Sequence, residues 1–438
     1  MIRHFLWQFC AILLLAVAPS SARDQTLAAF PGAKGCGSTT QGGRGGDVIQ
    51  VTTLADNGPG SLREALEGRG DPRIVVFAVG GVIALETEIE VGPNVTILGQ
   101  VAPSPGITLT GARLRIVGDD AIVRGLRIRP GNGPGQPLEG RDGISVGVQG
   151  RTVARVVIAE NSITWATDEN LAVWFDAEDI TVQNNLIAEG LNEAGHPEGP
   201  HSMGILIGDT ARRVSIVENV LANNRWRNPQ IKRLQDGEFV NNIVYNFGPG
   251  GFAVVDGPSS VDVVGNLFVA GPNTPEPWSR PAIALMAEDP RSQYYVKGNA
   301  TSLGFDAVRG PGRSQLTLQP VVGRLAIGAH HAFDLRGELL DRVGAVEPAR
   351  DAIDARILED LQQERGGVID FPPVEEWDAL NASTPSFSRA DDRDGDLIPD
   401  DWEGRIGSDP NISDAHLIAP TGYAFIEEYV NALAAEPV

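Results

Sequence analysis

The densest positive charge in this chain lies between positions 225 and 233, where Arg225, Arg227, Lys232 and Arg233 flank Trp226 and its neighbours. Cations beside an indole suit an anionic polymer with a face that can stack on an aromatic ring. Upstream, Asp168 and Glu169 are adjacent, and Glu189 follows 21 residues after Asp168, with Asp142 as a secondary candidate. If the chain coils with about that period, Asp168 and Glu189 stack within reach of one calcium-like cation, which takes oxygen ligands. His196 and His201 share the stretch that follows. Two histidines with no third ligand at useful spacing do not make a zinc site. Near the C-terminus, Asp392, Asp394, Asp396, Asp400 and Glu403 fall at positions 1, 3, 5, 9 and 12 of a loop, with the Ile398 backbone at 7. That is the oxygen spacing of an EF-hand calcium loop, although Leu397 stands where glycine is usual.

These side chains need a scaffold that repeats. Asn followed by apolar residues recurs at Asn161, Asn185, Asn219, Asn242 and Asn266, with a weaker copy at Asn299. The spacings are 24, 34, 23, 24 and 33 residues, which is one coil of roughly 24 with loops of about ten residues inserted twice. A short β run precedes each copy, such as Ile180-Thr181-Val182 and Val214-Ser215-Ile216. Such a strand cannot bury a face alone, but stacked copies make a continuous core. Asn suits the turns because it tolerates left-handed geometry, and stacked copies form an amide ladder. The expectation is an all-β parallel β-helix, since a β-sandwich does not predict a 24-residue Asn register. Trp174, alternating with apolar neighbours, is expected in its core.

Composition agrees. The 438 residues hold 52 Gly and only 6% aromatics, which fits many tight turns around a narrow aliphatic core. A formal charge of −22 argues against nucleic acid as a partner. Residues 1–22 read as a secretory signal peptide: Arg3 and His4 precede an apolar run over 5–18 and small residues at 20–22. No other stretch is apolar enough to cross a membrane. The expected organisation is a signal peptide, a β-helix over 23–370 ending in an amphipathic packing helix at 350–365, a linker over 371–390, and an EF-hand-like tail over 391–438. A secreted monomer is expected.

Residues 29–35 (Ala-Phe-Pro-Gly-Ala-Lys-Gly) lead into a glycine-rich run at 42–46, a first strand, and a short helix at 60–67 capped by Ser61 or Gly60. No phosphate-loop lysine follows the glycines, so a nucleotide site is excluded. This stretch closely resembles the N-terminal signature of the pectate lyase family, the parallel β-helix polysaccharide lyases. The resemblance continues through residues 97–103, Gly140-Arg141-Asp142, Ser162-Ile163-Thr164-Trp165-Ala166-Thr167-Asp168-Glu169-Asn170, residues 199–208, Arg227-Asn228-Pro229 and residues 240–246, covering about 28–370.

The resemblance implies a right-handed β-helix and calcium-dependent β-elimination of a uronan. It places Arg227 where the family's proton-abstracting arginine stands, and Lys232 where a second arginine often binds the substrate carboxylate. His201 joins these two as a candidate catalytic residue. Arg225, Arg233, Trp226 and His196 are the candidate substrate-binding set. The metal candidates are Asp168, Glu169, Glu189 and the tail residues Asp392, Asp394, Asp396, Asp400 and Glu403. Ala159 and Glu160 replace an Asp-His pair common in the family, and Glu198 stands where a Lys is frequent. Glu160 is expected to face the other side of its strand. These departures keep open a non-catalytic carbohydrate-binding β-helix, and the adjacent Asp168 and Glu169 keep open a glycoside hydrolase using paired carboxylates.

Overall fold

A computed structural model describes residues 27–275, 282–302, 308–322, 327–387 and 391–434; the signal-peptide expectation lies outside these. Three long sheets run the length of the molecule; the first strand, Asp47–Val51, joins one sheet only, and each full coil after it contributes one strand to each. In one coil these are Ala177–Gln183, Leu186–Ala188 and Met203–Ile207. Neighbouring coils pair in parallel, and Ile180, Thr181 and Val182 lie opposite Val214, Ser215 and Ile216 one coil on. This is a parallel β-helix, with an interior of stacked Val, Ile and Leu from all three sheets.

The Asn ladder holds the register of the first turn. Asn185 Oδ1 accepts from the backbone N–H and the side-chain Nδ2 of Asn161, at 2.9 and 3.1 Å. Asn185 Nδ2 donates to the Ile158 and Gln183 carbonyls, both at 2.9 Å. Asn219, Asn242, Asn266 and Asn299 continue the pattern. The left-handed conformation falls one residue earlier than expected, on Glu160, Asn184, Glu218 and Asn241, with glycine at 125, 265 and 298. The ladder Asn itself is chosen for its amide bonds, which satisfy turn backbone that would otherwise be buried unpaired.

Helix α1 (Leu62–Leu66) closes one end; Ser61 caps it by accepting from Glu64 N–H, and Leu62, Ala65 and Leu66 are buried. The glycine-rich run crosses the outside of the strand Arg73–Phe77, where a side chain at Gly43 would collide with the Arg73 carbonyl. Helix α2 (Leu335–Leu339) and helix α3 (Ala352–Gln362) pack on the sheet containing Leu186, Val220 and Ile243. The expected linker at 371–390 instead contains helix α4 (Val374–Asn381) and the strand Ser386–Phe387, which pairs antiparallel with Val79–Ala84. Trp377 of α4 reaches Trp165, with ring centroids 6.1 Å apart. The tail adds helix α5 (Asp400–Ile406) and helix α6 (Phe425–Leu433). It is docked on the solenoid, because Leu397, Ile398, Phe425, Ile426 and Val430 cover Ile74, Val76 and Leu98.

Candidate active site

The turn between the second and third strands of each coil varies most in length, and it carries the chemistry. Asp142, Asp168, His201 and Arg227 stand on this turn in four consecutive coils, just before the strands Ile144–Val146, Glu169–Val173, Met203–Ile207 and Gln230–Lys232. Parallel stacking brings together residues that are 85 positions apart in the chain.

Carboxylate oxygens of Asp142, Asp168 and Glu169 lie within 4.8 Å of one another. Asp168 Oδ2 accepts from Gly140 N–H at 2.9 Å, and Asp142 Oδ1 accepts from Glu169 N–H at 3.2 Å. Arg113, one coil earlier, holds Asp142 Oδ2 at 3.1 Å. Burial, and then repulsion from Asp168, push the Asp142 carboxyl up to about 7 despite Arg113 and Arg227. Arg227 is ion-paired with Glu169. Burial lowers the pKa of its guanidinium, while Asp168 and Asp142 oppose that shift. Three converging carboxylates, fixed partly by backbone donors, fit a calcium ion by donor chemistry. Asp142, Asp168 and Glu169 would hold it.

The two histidines form the adjoining wall. Their rings stack with centroids 3.6 Å apart, and each Nε2 lies 3.7 Å from an Asp168 oxygen. Arg225 is exposed, donates to Asn192 Oδ1 at 3.2 Å, and lies 5.9 Å from the ring of half-buried Trp226.

Other expected members are elsewhere. Glu189 does not face Asp168. Its oxygens take Arg356 at 2.7 and 2.9 Å and Trp165 Nε1 at 3.1 Å, so it is buried as the anchor of α3 rather than available to a cation. Arg227 stands on the turn before the strand Gln230–Lys232, whereas Lys232 and Arg233 lie at the far end of that strand. Lys232 Nζ lies 5.6 Å from the Trp174 ring, and Arg233 pairs with Asp256 at 3.2 Å. Trp174 is half-buried at the end of its strand, not in the core. Glu160 faces away as expected, bonded to Arg124. Sequence reading missed Arg113, because only the stacking of coils places it on Asp142.

In the tail, Asp392, Asp394 and Asp396 converge as the loop spacing predicts. Leu397 adopts the left-handed φ of 73° that glycine usually supplies. Asp396 and Glu403 form a second group with Asp414, which the loop pattern could not include. Asp400 turns out of both groups to pair with Arg393 at 3.1 Å.

Fold and site together define a β-helix protein that sets a cation-type acidic nest against a partly buried arginine. The comparisons sharpen that class. No family model matches the chain. A probable pectate lyase C of Neosartorya fischeri is 35% identical over 439 residues, covering 97% of this chain and 98% of that protein. A probable pectate lyase C of Emericella nidulans is 36% identical over 441 residues, covering 97% of each. Among solved structures, the cedar pollen allergen jun a 1 superposes with a TM-score of 0.56 at 20% identity, covering 71% of this chain and 92% of that one. A pectate lyase studied for its anti β-elimination mechanism gives 0.52 at 14% identity, covering 74% and 98%. The chain belongs to the pectate lyase family, and is a polysaccharide lyase of the pectate lyase type.

Proposed function

We propose that this enzyme cleaves pectate or a closely related polyuronate by calcium-dependent β-elimination, with Arg227 as the base. The observation that carries this reading is the pairing of Arg227 with the Asp142–Asp168–Glu169 group, an arrangement suited to an acidic sugar whose carboxylate sits beside a carbon acid. Bound there, calcium withdraws charge from the substrate carboxylate and acidifies the neighbouring C–H. Arg227 must be neutral to accept that proton. Burial already favours its neutral form, while Asp168, Asp142 and the Glu169 ion pair hold the proton on; neutralising all three carboxylates leaves burial to dominate. Arg225 and Trp226 are placed to bind the polymer alongside. The apolar run over 5–18 supports export of the enzyme. The expected result with polygalacturonate is an ultraviolet-absorbing unsaturated product that stops forming when calcium is chelated. Asp168→Asn should raise the calcium requirement at least ~10-fold. Chelator-resistant turnover would refute the calcium role.

The tail is proposed as a second calcium site, formed by Asp392, Asp394, Asp396, Glu403 and Asp414. Glu403 Oε2 and Asp394 Oδ2 are buried without hydrogen-bond partners, as oxygens awaiting a cation would be. Burial, then Asp394 and Asp396, push the Glu403 carboxyl up from 4.5 to about 7. A raised carboxyl pKa means that the metal-free tail loses stability as pH rises through that window. Calcium should therefore raise the Tm more at pH 7.5 than at pH 5, and Glu403→Gln should remove that pH dependence. A calcium response in the variant equal to wild type at both pH values would exclude the site.

A further inference from the structure

We propose that Asp168, His196 and His201 form a separate site for a zinc-class divalent cation, which competes with calcium for Asp168. The sequence offers two histidines and no third ligand at useful spacing. The structure supplies the third from the preceding coil. Each histidine Nε2 lies 3.7 Å from a different Asp168 oxygen. One Asp168 oxygen and one ring nitrogen from each histidine all lie within 4.8 Å of one another. Ligands about 2.0–2.1 Å from a tetrahedral zinc stand roughly 3.4 Å apart, so the side chains close by roughly 1 Å as the ion binds.

Both rings are held at the site, and coordination spreads their centroids from 3.6 Å to about 5 Å. His196 and His201 are 6% and 3% exposed, so neither is an ordinary surface histidine. His201 Nδ1 sits 3.0 Å from the Gly199 carbonyl. Donating its proton there fixes the tautomer and leaves the Nε2 lone pair facing Asp168, as in histidine metal ligands generally. His196 Nε2 is buried with no hydrogen-bond partner. Its Nδ1 accepts from Glu198 N–H at 3.2 Å. Metal binding at Nε2 moves the ring proton to Nδ1 and gives up that long contact, whose loss is eased because the Glu198 side chain is 74% exposed on a surface loop. With three protein ligands, the fourth position stays open to water or to a substrate oxygen.

Donor chemistry separates the two ions. Imidazole nitrogen favours zinc, cobalt and nickel, whereas the all-oxygen set Asp142, Asp168 and Glu169 favours calcium. Because Asp168 belongs to both sets, occupation of one site removes a ligand from the other. This inference shares Asp168 with the proposed lyase site but does not depend on the elimination chemistry.

Cobalt(II) is the probe, since a tetrahedral site gives intense visible ligand-field bands and the hexaaquo ion does not. The full chain should bind one equivalent with such bands, and millimolar calcium should bleach them. His196→Gln and His201→Gln should each weaken binding at least ~10-fold, with melting curves confirming that the variants fold. Glu403→Gln should leave the bands unchanged. Absence of tetrahedral bands in the wild type, their persistence in the double His variant, or their indifference to calcium would each overturn the proposal. Elimination of polygalacturonate is read separately, so loss of either result leaves the other standing.

Discussion

Arg227→Ala should lower the rate of elimination by about 10²–10⁴, the range expected when a positioned base is removed. The reason lies in its surroundings. Arg227 is half-buried on the turn before Gln230–Lys232, pairs with Glu169, and faces the carboxylates that would fix the cation. The substitution also strips Glu169 of its partner, so activity and folding must be read together. In saturating calcium, Glu169 retains a counter-charge and the melting temperature should stay close to wild type. Arg227→Lys keeps a cation beside Glu169 but replaces a planar fork by a point charge, and should fold normally with impaired turnover. Turnover of Arg227→Ala within tenfold of wild type, with calcium present, would remove Arg227 from the chemistry.

The largest stability effect is expected at Arg129, remote from that chemistry. Its guanidinium is fully buried, pairs with Asp351 at 2.5 Å and Asp354 at 2.7 Å, and lies 5.6 Å from the Trp165 ring. Asp354 is itself fully buried and bonded to Ser162, so this group pins α3 to the solenoid. Arg129→Ala leaves the fully buried Asp354 carboxylate without its cation and Asp351 with Arg127 alone, which costs about 3–5 kcal/mol. For a chain of this size that is a fall in Tm on the order of 5 °C. Acid should mimic the substitution. Burial would raise the Asp351 carboxyl, but Arg129 and Arg127 outweigh it and hold it at about 2, below its usual 3.8. Its contribution is then complete above pH 4 and is lost as the pH falls through about 2. Arg129→Ala should therefore flatten the acid limb of the stability profile. A variant as stable as wild type in denaturant titrations would show that α3 is held by its apolar face alone.

The fold was legible because its signal is periodic and local. The asparagines at 161, 185, 219, 242, 266 and 299 mark the coil, and all six join one ladder. The site was only partly legible, because a solenoid places residues by coil and by direction within the coil. Asp168 and Glu169 could be found from adjacent carboxylates. Glu189 has the right spacing, but its side chain turns toward α3, an element more than 160 residues away in the chain. Lys232 and Arg233 look clustered with Arg227 when read linearly, but they sit at the far end of the strand Gln230–Lys232, where Lys232 meets Trp174 and Arg233 pairs with Asp256. Asp414 meets Glu403 only because the segment after α5 folds back over it. The segment after residue 370 read as a linker because Pro372-Pro373 breaks the pattern, yet its Trp377 finds a buried aromatic partner in Trp165.

The ladder has one more consequence, for how such an enzyme acquires new specificity. The step from Asn185 to Asn219 spans 34 residues and the step from Asn219 to Asn242 spans 23, yet both make the same amide bonds at 3.0 Å. Register and wall length are therefore independent variables. A coil can take up extra residues at the turn that bears His196 and His201 without displacing the coils above or below. Lengthening such a loop twofold costs only about 0.6 kcal/mol in closure entropy. Insertions there should be the cheapest heritable route to a reshaped cleft, and loop grafts between relatives of this enzyme should succeed at that turn and fail within the Asn turn.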